Sequence, residues 1–376
     1  MHTDSLNLQR FHFASYLCPS NLMNYKKPKL LMFFIKRASF IEKDIRILSR
    51  QFDVIEFQFN ASSKLLLPWV FFKQFTFLLF NLSSFSVCIS QFGGYHSFLP
   101  GLLGKIFKVP HIIICCGSDC VAYPTLSYGN LRNGLLKWFI GKSYFLANLL
   151  CPVHEKLMAY ENTYYLEDNK LQGVFNFFPQ LNTPVFPVEN GYDPEQWKPN
   201  GPRKKQFLTV AGYMEDANRA KLKGVDLVEQ LARYFPDYEF VLIGASRQTN
   251  TSNDPANLKR IPLVPNHEIG KFYQESLFYL QFSISEGFPN SLSEAMASGC
   301  VPIVSNVSSM PEIIGDTGFI LEIRDINKLV DLVKLALHAD LNSLSEKARE
   351  RIITHYPQSN RELKLFQAIS SLVPNL

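Results

Sequence analysis

The chain has 376 residues, which exceeds the usual size of a single core and predicts two domains. Hydrophobic residues make up 47% and charged residues 19%, which excludes a long disordered chain. The net charge of +5 is modest and uneven, since residues 1–200 carry 19 Lys and Arg against 13 Asp and Glu. We therefore expect no nucleic-acid partner. The basic excess reflects either ordinary surface variation or a surface that rests on anionic lipid headgroups.

The cysteines and the apolar runs indicate the compartment. Seven cysteines show neither CxxC pairs nor a Cys/His ligand spacing, so we expect free thiols in a reducing cytoplasm and no metal site. Residues 1–28 have no clear period and are expected to be a loose extension, without the pattern of a signal peptide. The run from Leu65 to Phe80 is interrupted by Lys73 and is shorter than the ~18 apolar residues of a spanning helix. The sequence predicts a cytoplasmic protein that could rest on the inner face of a membrane.

The first half of the chain alternates short apolar runs with helical periods. Strands are predicted at 29–35, 53–59, 87–90 and 111–115, with helices at 41–51, 63–81 and 97–107. Such alternation implies parallel pairing with right-handed crossovers. The helix at 63–81 has two interpretations: a core helix, or a membrane-docking face with Trp69, Phe72 and Lys73.

The character of the chain changes near residues 182–203, where five prolines and two glycines mark a linker. The alternation then restarts with a strand at 206–211, a helix at 225–235 and a strand at 238–243. We therefore predict an α/β protein of two tandem doubly wound domains with a cleft between them. The predicted parts are a first domain over 1–187, a linker over 188–203, a second domain over 204–356 and a C-terminal helix within 357–376.

The segment from Ser285 to Val304 indicates an anion site. It follows a predicted strand, turns at Gly287 and Pro289, and continues as a short predicted helix at 291–298. A helix N-terminus at the carboxyl end of a parallel strand presents free N–H groups to a ligand such as diphosphate. The candidate binding residues are Gly287, Phe288, Pro289, Asn290, Ser291 and Leu292.

Two carboxylates, Glu286 and Glu294, flank this predicted phosphate pocket. A negative side chain beside a phosphate serves little purpose unless it binds something else, and sugar hydroxyls are good donors to carboxylates. The alternative for Glu294 is a capping box with Ser291. Glu286 has no comparable structural reason, because it stands at a strand end beside a glycine.

Basic residues precede the predicted helix at 225–235. The charge of Lys223 would oppose the dipole at that helix N-terminus, and this unfavourable placement indicates that Lys223 binds a ligand. Arg219 and Lys221 lie upstream in a charged segment predicted as a loop, where a solvated surface is the alternative to a phosphate site. Gly244 closes the strand at 238–243 and is a further candidate for close approach to the ligand.

The run from Phe282 to Glu312 resembles the signature of the family-4 retaining glycosyltransferases, which share the two-domain GT-B fold. The resemblance consists of a Glu followed after seven residues by another Glu, a Gly-Phe-Pro turn, and the helix and strand that follow. Further segments that resemble the family are Asn190-Gly-Tyr-Asp193, Lys223-Gly224, Pro311-Glu-Ile-Ile, Gly318-Phe, and in the first domain 110–119 and 152–155.

The resemblance implies a nucleotide-diphosphate sugar as donor, bound in the cleft mainly by the second domain. Glu294 would hold the ribose hydroxyls and Glu286 the transferred sugar, while Lys223 and Arg219 would neutralise the diphosphate without a metal or cofactor. The acceptor would be a polysaccharide, lipid-linked or other glycan of the cell envelope, and the anomeric configuration would be retained. The last helix would cross back onto the first domain.

Two positions depart from the family pattern. Tyr213 stands where the family usually has an Arg, and Arg219 could replace that side chain from a longer loop. Cys116 stands where many members have a His, so Asp119 or the loop residue His96 could approach the acceptor instead.

Two alternatives to a transferase stay open, the first because it shares the fold and the second because of these departures. One is a GT-B sugar-nucleotide epimerase or hydrolase, which would normally carry more acid and base groups around the anomeric carbon. The other is a non-catalytic, transferase-like partner of an active enzyme.

Overall fold

The computed structural model describes residues 27–60, 63–212, 216–245 and 254–374. Two parallel β-sheets flanked by helices account for most of this part of the chain. The segment expected to be loose, residues 1–28, lies outside the described residues except for its last two positions. The predicted α/β class with two doubly wound sheets is confirmed.

The first half of the described chain alternates strands and helices. The elements are β1 (Lys29–Phe34), α1 (Ser39–Leu48), β2 (Asp53–Gln58), α2 (Leu67–Asn81), β3 (Val87–Gln91), α3 (Tyr95–Phe107), β4 (His111–Cys115), α4 (Gly134–Leu146) and β5 (Leu149–Pro152). These strands form a five-stranded parallel sheet in the order β2-β1-β3-β4-β5. A short antiparallel pair and a one-turn helix follow, namely β6 (Tyr160–Glu161), β7 (Leu171–Gln172) and α5 (Val174–Phe177).

The order of the strands in the first sheet determines on which face each helix lies. The chain moves from β1 outward to β2, and then returns past β1 to β3, β4 and β5. Right-handed crossovers therefore put α1 on one face and α2, α3 and α4 on the other. The side chains of β1 agree, since Leu30 and Met32 share a core with Ile41 of α1, whereas Leu31 and Phe33 share a separate core with α2 and α3.

The second half repeats this architecture with a larger sheet. Its elements are β8 (Lys204–Val210), α6 (Ala217–Lys223), α7 (Val225–Ala232), β9 (Glu239–Ala245), β10 (Leu258–Pro262), α8 (Asn266–Glu275), β11 (Ser276–Gln281), α9 (Asn290–Ala297), β12 (Val301–Ser305), α10 (Met310–Ile314), β13 (Phe319–Leu321), α11 (Ile326–Leu337), α12 (Leu341–His355) and α13 (Gln358–Ser370). The six strands are parallel, in the order β10-β9-β8-β11-β12-β13.

The two halves are joined by two crossings of the chain that lie side by side. Tyr192 N–H donates to Tyr356 O at 2.9 Å, and Gln358 N–H donates to Tyr192 O at 3.0 Å. Beyond this ladder α13 contacts α1, where Arg361 Nη2 lies 2.6 Å from Asp44 Oδ2 in an ion pair almost closed to solvent. The C-terminal helix therefore lies on the first half of the chain. The exact domain boundaries at 187, 203 and 356 stay predictions.

Two segments expected as loops are helical. Arg219 lies in α6, because the Asp216 side chain caps that helix by accepting a hydrogen bond from Arg219 N at 2.8 Å. His96 lies in the first turn of α3, which begins after Gly94, and Gly94 N–H donates to Ser97 Oγ at 2.9 Å. In both cases a local cap starts the helix earlier than its apolar period indicates.

Candidate functional site

The carboxyl end of β11 leads through a tight turn into α9. The helix begins at Asn290, and Pro289 before it supplies no side-chain cap. The first N–H groups of a helix have no partner within it, so the start of α9 can offer backbone donors to an anion. The anion-binding segment predicted at 287–292 thus coincides with this turn and the first residues of α9, although its role as a binding segment stays a prediction.

Gly287 lies where the two halves of the molecule touch. A Cβ atom on Gly287 would lie 2.1 Å from Cys116 O, and a Cβ on Gly117 would lie 3.3 Å from Gly287 Cα. The turn is also held from behind, because Ser309 Oγ donates to Gly287 O at 2.6 Å. The glycine thus allows a loop of the first sheet to pass directly over the turn before α9.

Lys223 and Glu286 form an ion pair in the cleft. Lys223 Nζ donates to Glu286 Oε1 at 2.7 Å, and Gln281 Nε2 donates to the same oxygen at 2.9 Å. The exposed fractions of the side chains are 27% for Lys223 and 11% for Glu286. The structure thus brings together the two residues predicted to bind the diphosphate and the transferred sugar.

The backbone fixes the position of Lys223. Gly224 follows it with φ +70°, and a Cβ there would lie 2.4 Å from Phe282 O. Ile284 N–H also donates to Leu222 O at 2.8 Å. The α6–α7 turn is therefore fastened to the segment after β11. Lys223 is the last residue of α6, so its charge complements the dipole of that helix rather than opposing the dipole of α7, as the sequence had suggested.

Arg219 and Lys221 reach toward the first half of the chain. The Arg219 guanidinium lies 5.6 Å from the centre of the Tyr128 ring, and Lys221 Nζ donates to both oxygens of Glu167 at 2.8 and 2.9 Å. Burial raises the pKa of the Tyr128 hydroxyl; Glu286 adds to that rise and Arg219 opposes it. Arg219 and Glu286 are thus both neighbours of Tyr128 at the cleft.

Glu294 faces a second part of the cleft. Its side chain is buried, accepts a hydrogen bond from Tyr273 Oη at 3.3 Å, and lines a cavity of about 270 Å³ together with Lys43 and Asn266. Burial raises the pKa of Glu294 to about 7, and the Lys43 ammonium opposes the shift. The capping-box alternative is wrong, because α9 begins before Ser291 and no side chain caps it.

Two segments quoted for the family resemblance contact the other half of the molecule. Asn190 Nδ2 and Tyr192 Oη both donate to Asn290 Oδ1, at 3.0 and 2.8 Å, which ties the first residue of α9 to the interdomain connection. Glu312 lies 3.0 Å from Lys156 Nζ across the cleft. These contacts hold the two halves closed around the turn before α9.

Asp119 is fully buried, and its carboxylate oxygens accept hydrogen bonds from groups of the protein. Its carboxylate accepts hydrogen bonds from Gly93 N at 2.8 Å, Gly117 N at 3.0 Å and Cys116 N at 3.2 Å. Tyr144 Oη also donates to it, at 2.9 Å. Burial raises the pKa of Asp119, and these donors oppose the rise. The carboxylate therefore orders two loops of the first sheet, and the structure gives no support to its predicted approach to the acceptor.

His96 is equally enclosed. It has no exposed surface, and its Nε2–H donates to Gln91 O at 2.7 Å. Burial lowers the pKa of His96 to about 4, so the ring is neutral at physiological pH. The structure places this candidate inside the first domain rather than beside Lys223 and Glu286, because the residue belongs to the first turn of α3.

A buried cluster of Cys115, Asp119 and Cys120 has the composition of a metal site, with its ligand atoms within 4.8 Å of one another. The Asp119 oxygens already accept several hydrogen bonds, and burial raises the pKa of the Cys120 thiol. A protonated thiol is a poor metal ligand. The predicted independence of metal stays a prediction.

The first half contributes a cavity of its own. It measures about 650 Å³ and opens at the carboxyl ends of β1 and β3. Its lining includes Phe40, Phe92, Tyr95 and Leu136, with Arg37 at its edge. The sequence did not reveal this cavity, because its walls come from segments far apart in the chain.

Gly244 and Gly212 mark the ends of β9 and β8. Gly244 has φ +115°, and a Cβ on it would lie 2.1 Å from Ala211 O, so a side chain would not fit there. Tyr213, which stands at the position of the family's usual Arg, lies outside the described residues. Whether Arg219 replaces that Arg stays a prediction.

Four residues of the site were not predicted: Gln281, Tyr128, Lys43 and Tyr273. Gln281 ends β11 five residues before Glu286, so its position at the strand end was a usable signal. Lys43 and Tyr128 come from the other half of the chain, and only the folded structure brings them to the cleft.

Comparison with known proteins identifies the second half. Residues 199–355 match the family model described as glycosyl transferases group 1. Over these residues the chain is similar to the group 1 glycosyltransferases. The resemblance to glycosyltransferases is thereby confirmed at the level of the family, whereas the narrower assignment to the retaining family 4 stays a prediction.

A curated relative lies within the same class. The O-antigen chain mannosyltransferase B of Escherichia coli is 28% identical to this chain over 83 residues, which is 22% of this chain and 22% of that protein. The match therefore spans less than a quarter of either protein.

Solved structures resemble the whole described fold. The sucrose-phosphate synthase of Thermosynechococcus elongatus has a TM-score of 0.71 at 11% identity, covering 93% of this chain and 100% of that chain. HepE of Anabaena, solved in complex with UDP and glucose, has a TM-score of 0.66 at 12% identity, covering 92% of this chain and 100% of its own. A glycosyltransferase of Rickettsia africae has a TM-score of 0.65 at 16% identity, covering 94% and 100%. These likenesses confirm the predicted GT-B fold.

Proposed function

We propose that this protein transfers a sugar from a nucleotide-diphosphate sugar to a polysaccharide, lipid-linked or other glycan acceptor, with retention of the anomeric configuration. The observation that carries the proposal is the pairing of Lys223 with Glu286 beside the start of α9. One position thus combines an ammonium, unpaired backbone N–H groups and a carboxylate. That combination suits a diphosphate bonded to a hydroxylated ring.

The donor would occupy the cleft in two parts. Its diphosphate would lie against the first residues of α9, with Lys223 and Arg219 as counter-charges, and Glu286 would turn from Lys223 to the sugar hydroxyls. The nucleoside would extend toward the cavity lined by Glu294 and Lys43, where the ionised carboxylate would accept from the ribose hydroxyls. Supporting this arrangement, HepE, with the same fold, was solved with UDP and glucose.

In the transfer step the bond between the anomeric carbon and the diphosphate oxygen breaks, and the acceptor oxygen bonds to that carbon on the same face. The acceptor proton passes to an oxygen of the departing diphosphate. Lys223 and the α9 N–H groups would stabilise the charge that develops on the leaving group, and the closed cleft would hold the acceptor oxygen on the same face of the sugar as the leaving group. No resident metal or cofactor enters this scheme.

The acceptor would enter from the first domain, through the cavity lined by Phe40, Phe92 and Tyr95. Support for a polysaccharide product comes from the match to the mannosyltransferase of O-antigen chains. We propose a cytoplasmic location at the inner face of a membrane, with cell-envelope polysaccharide synthesis as the process.

Isothermal titration calorimetry with a panel of nucleotide sugars and nucleoside diphosphates tests the proposal. We expect the wild type to bind at least one diphosphate, Lys223→Ala to bind it at least tenfold more weakly, and Lys328→Ala, which removes an exposed lysine of α11, to bind it normally. The absence of affinity for every member of the panel would overturn the proposal. Following a bound donor by NMR without acceptor distinguishes transfer from epimerisation or hydrolysis, since those reactions yield an isomer or free sugar.

A further inference from the structure

The helices α2, α3 and α4 form one layer on the face of the first sheet opposite to α1. Aromatic rings join them: Phe71 of α2 lies 5.4 Å from Phe139 of α4, and Tyr95 of α3 lies 5.0 Å from Phe139, measured between ring centres. Phe98 and Trp138 extend the cluster, at 5.8 Å from one another. The layer is therefore a packed unit with an inner side on the sheet and an outer side free of other described elements.

The outer side of this layer is unusually apolar. On α4 the residues Leu135, Trp138, Lys142 and Phe145 follow helical spacing along one exposed stripe. The large exposed hydrophobic side chains of the layer and of the turn before α2 are Leu65, Leu66, Trp69, Phe72, Phe75, Leu79, Phe80, Leu102, Ile106, Leu135, Trp138 and Phe145. We call these residues the outer face. Trp69 is 64% and Phe80 79% exposed, although burial of either ring would be strongly favourable.

The charge around the outer face has a single sign. Between residues 57 and 154 the chain contains one acidic residue, Asp119, and that residue is fully buried. Lys and Arg in the same stretch are Lys64, Lys73, Lys105, Lys108, Arg132, Lys137 and Lys142. Exposed lysines, among them Lys73 on α2 and Lys105 on α3, thus stand between exposed aromatic and leucine side chains. Nothing acidic on these helices neutralises them.

We propose that the outer face docks on a lipid bilayer that contains anionic lipids. Tryptophan and phenylalanine insert into the region between headgroups and acyl chains, and lysines among them attract the anionic headgroups. Among the described residues no helix is both long and apolar enough to cross a bilayer, so the contact is peripheral. The predicted docking segment, residues 63–81, supplies seven of the twelve outer-face residues, and α3 and α4 supply the other five.

The charge pattern selects a lipid surface over a second copy of the chain. A symmetric dimer brings the same patch of both protomers together, so lysine would face lysine across an apolar contact. An acidic protein could complement the lysines. The outer face, however, spreads over three helices and mixes aromatic with cationic residues, and a bilayer accepts a broad surface of that composition.

Docking would also orient the cavity of the first domain. Tyr95 and Leu136, at the first turns of α3 and α4, line that cavity, and their neighbours Phe71 and Leu135 belong to the same helical layer. The cavity therefore opens beside the amino-terminal ends of the docking helices. A lipid-linked acceptor held in the bilayer would meet it without leaving the membrane surface.

Tryptophan fluorescence provides a direct test, because the three tryptophans differ in exposure. Trp69 and Trp138 are 64% and 49% exposed, whereas Trp197 is 3% exposed. We expect a blue shift and quenching by brominated acyl chains when the full chain meets phosphatidylcholine vesicles that contain phosphatidylglycerol, and a weaker response without that lipid. The double variant Trp69→Phe/Trp138→Phe, which leaves Trp197 in place, should lose the shift.

Vesicle sedimentation measures the contribution of charge. Lys73→Glu/Lys105→Glu should reduce binding to the anionic vesicles at least tenfold, and added salt should weaken wild-type binding. The matched control Lys347→Glu, which changes an exposed lysine of α12, should bind as the wild type does. Thermal unfolding of each variant shows that the fold is kept.

Three outcomes would overturn the proposal: no sedimentation of the wild type with anionic vesicles, equal binding by the lysine variants, or a concentration-dependent dimer that Trp69→Ser abolishes. The test does not depend on sugar transfer. If the protein binds vesicles but no nucleotide, the proposed membrane contact stands and only the proposed function is refuted. If the protein binds a nucleotide but no vesicles, only the proposed membrane contact is refuted.

Discussion

The Lys223 ammonium and the Glu286 carboxylate are 2.7 Å apart, although 63 residues separate them in the chain. The contact depends on two backbone details, the left-handed Gly224 and the hydrogen bond from Ile284 N to Leu222 O. Ion pairs that keep some exposure contribute little to stability, so such a pair can exchange partners at small cost when a charged ligand enters. The pair therefore serves the proposed donor site better than it serves the fold.

Replacing Lys223 by Ala should lower kcat/KM by about a hundredfold, because it removes one cationic donor from the developing charge on the leaving group. Release of nucleoside diphosphate in a coupled assay measures this. The Lys328→Ala variant should keep wild-type values. An unchanged kcat/KM in Lys223→Ala would contradict the assigned role.

The Glu286→Gln substitution should separate two effects. The sugar loses a charged acceptor, so kcat should fall at least tenfold. Lys223 loses its ionic partner and becomes available to phosphate, so free nucleoside diphosphate should bind at least as tightly as to the wild type. Calorimetry and steady-state kinetics on one sample give both numbers. Glu268→Gln, at an exposed position of α8, is the control. Weaker diphosphate binding by a folded Glu286→Gln would refute the interpretation of the pair.

The raised pKa of Glu294 predicts that the stability of the protein depends on pH. Burial raises its pKa from 4.5 to about 7, so the protonated form is favoured in the folded state. Its contribution to the free energy of unfolding is therefore full below about pH 4.5 and is lost as the pH rises through 7. The loss is on the order of 3 kcal/mol. Glu294→Gln should be more stable than the wild type at neutral pH, and chemical denaturation from pH 5 to 8 should show a flatter profile.

The same carboxylate should make donor binding pH-dependent. An ionised Glu294 accepts hydrogen bonds from hydroxyls, so affinity for the nucleotide should fall as the pH drops below about 7. Calorimetry at several pH values measures the effect, which Glu294→Gln should remove. A wild-type affinity that does not change between pH 6 and 8 would count against a ribose contact.

The ion pair of Arg361 with Asp44 should couple α13 to the first domain. Truncating one partner, as in Arg361→Ala, should destabilise the protein by about 3–5 kcal/mol, because a buried charge is left unpaired. Removing both charges with Asp44→Leu/Arg361→Met should cost much less. A double-mutant cycle in urea gives the coupling, and additive effects of the two single substitutions would exclude it.

Gly287→Ala should disturb the closure of the cleft. A methyl group there would lie 2.1 Å from Cys116 O, so the two halves must separate to admit it. We expect at least a tenfold loss of kcat/KM with a modest change in Tm. Gly134→Ala, at a position with nothing within 4 Å of the added methyl, should leave kcat/KM unchanged.

The strand ends of the second sheet were predictable because local patterns determine them. The apolar run before Ser285, the Gly-Phe-Pro turn and the helix that follows indicate a strand, turn and helix without knowledge of the rest of the chain. Lys223 could be found for a similar reason, since a Lys-Gly pair directly precedes a strongly periodic helix. The contact between Lys223 and Glu286 could not be predicted from the sequence, because this ion pair forms only when β8 and β11 lie side by side in the sheet.

His96 and Asp119 show where this reasoning fails. Both follow strands of the first sheet, as catalytic groups often do, but the chain folds back and covers them with Gln91, Gly93 and Tyr144. Whether a polar residue at a strand end faces solvent depends on the loops above it. The sequence of those loops carries no period from which their path could be derived.

The two adjacent crossings between the halves limit how the molecule can move. Tyr192 is bonded on both sides to the returning chain at Tyr356 and Gln358, and Arg361 holds that chain to α1. Because the two backbone crossings are hydrogen-bonded side by side, they allow one half of the molecule to rotate relative to the other about a single axis, and they resist twisting about other axes. Substrate exchange would therefore proceed by swinging the outer rim of the cleft apart, while the edge beside Tyr192 remains shut.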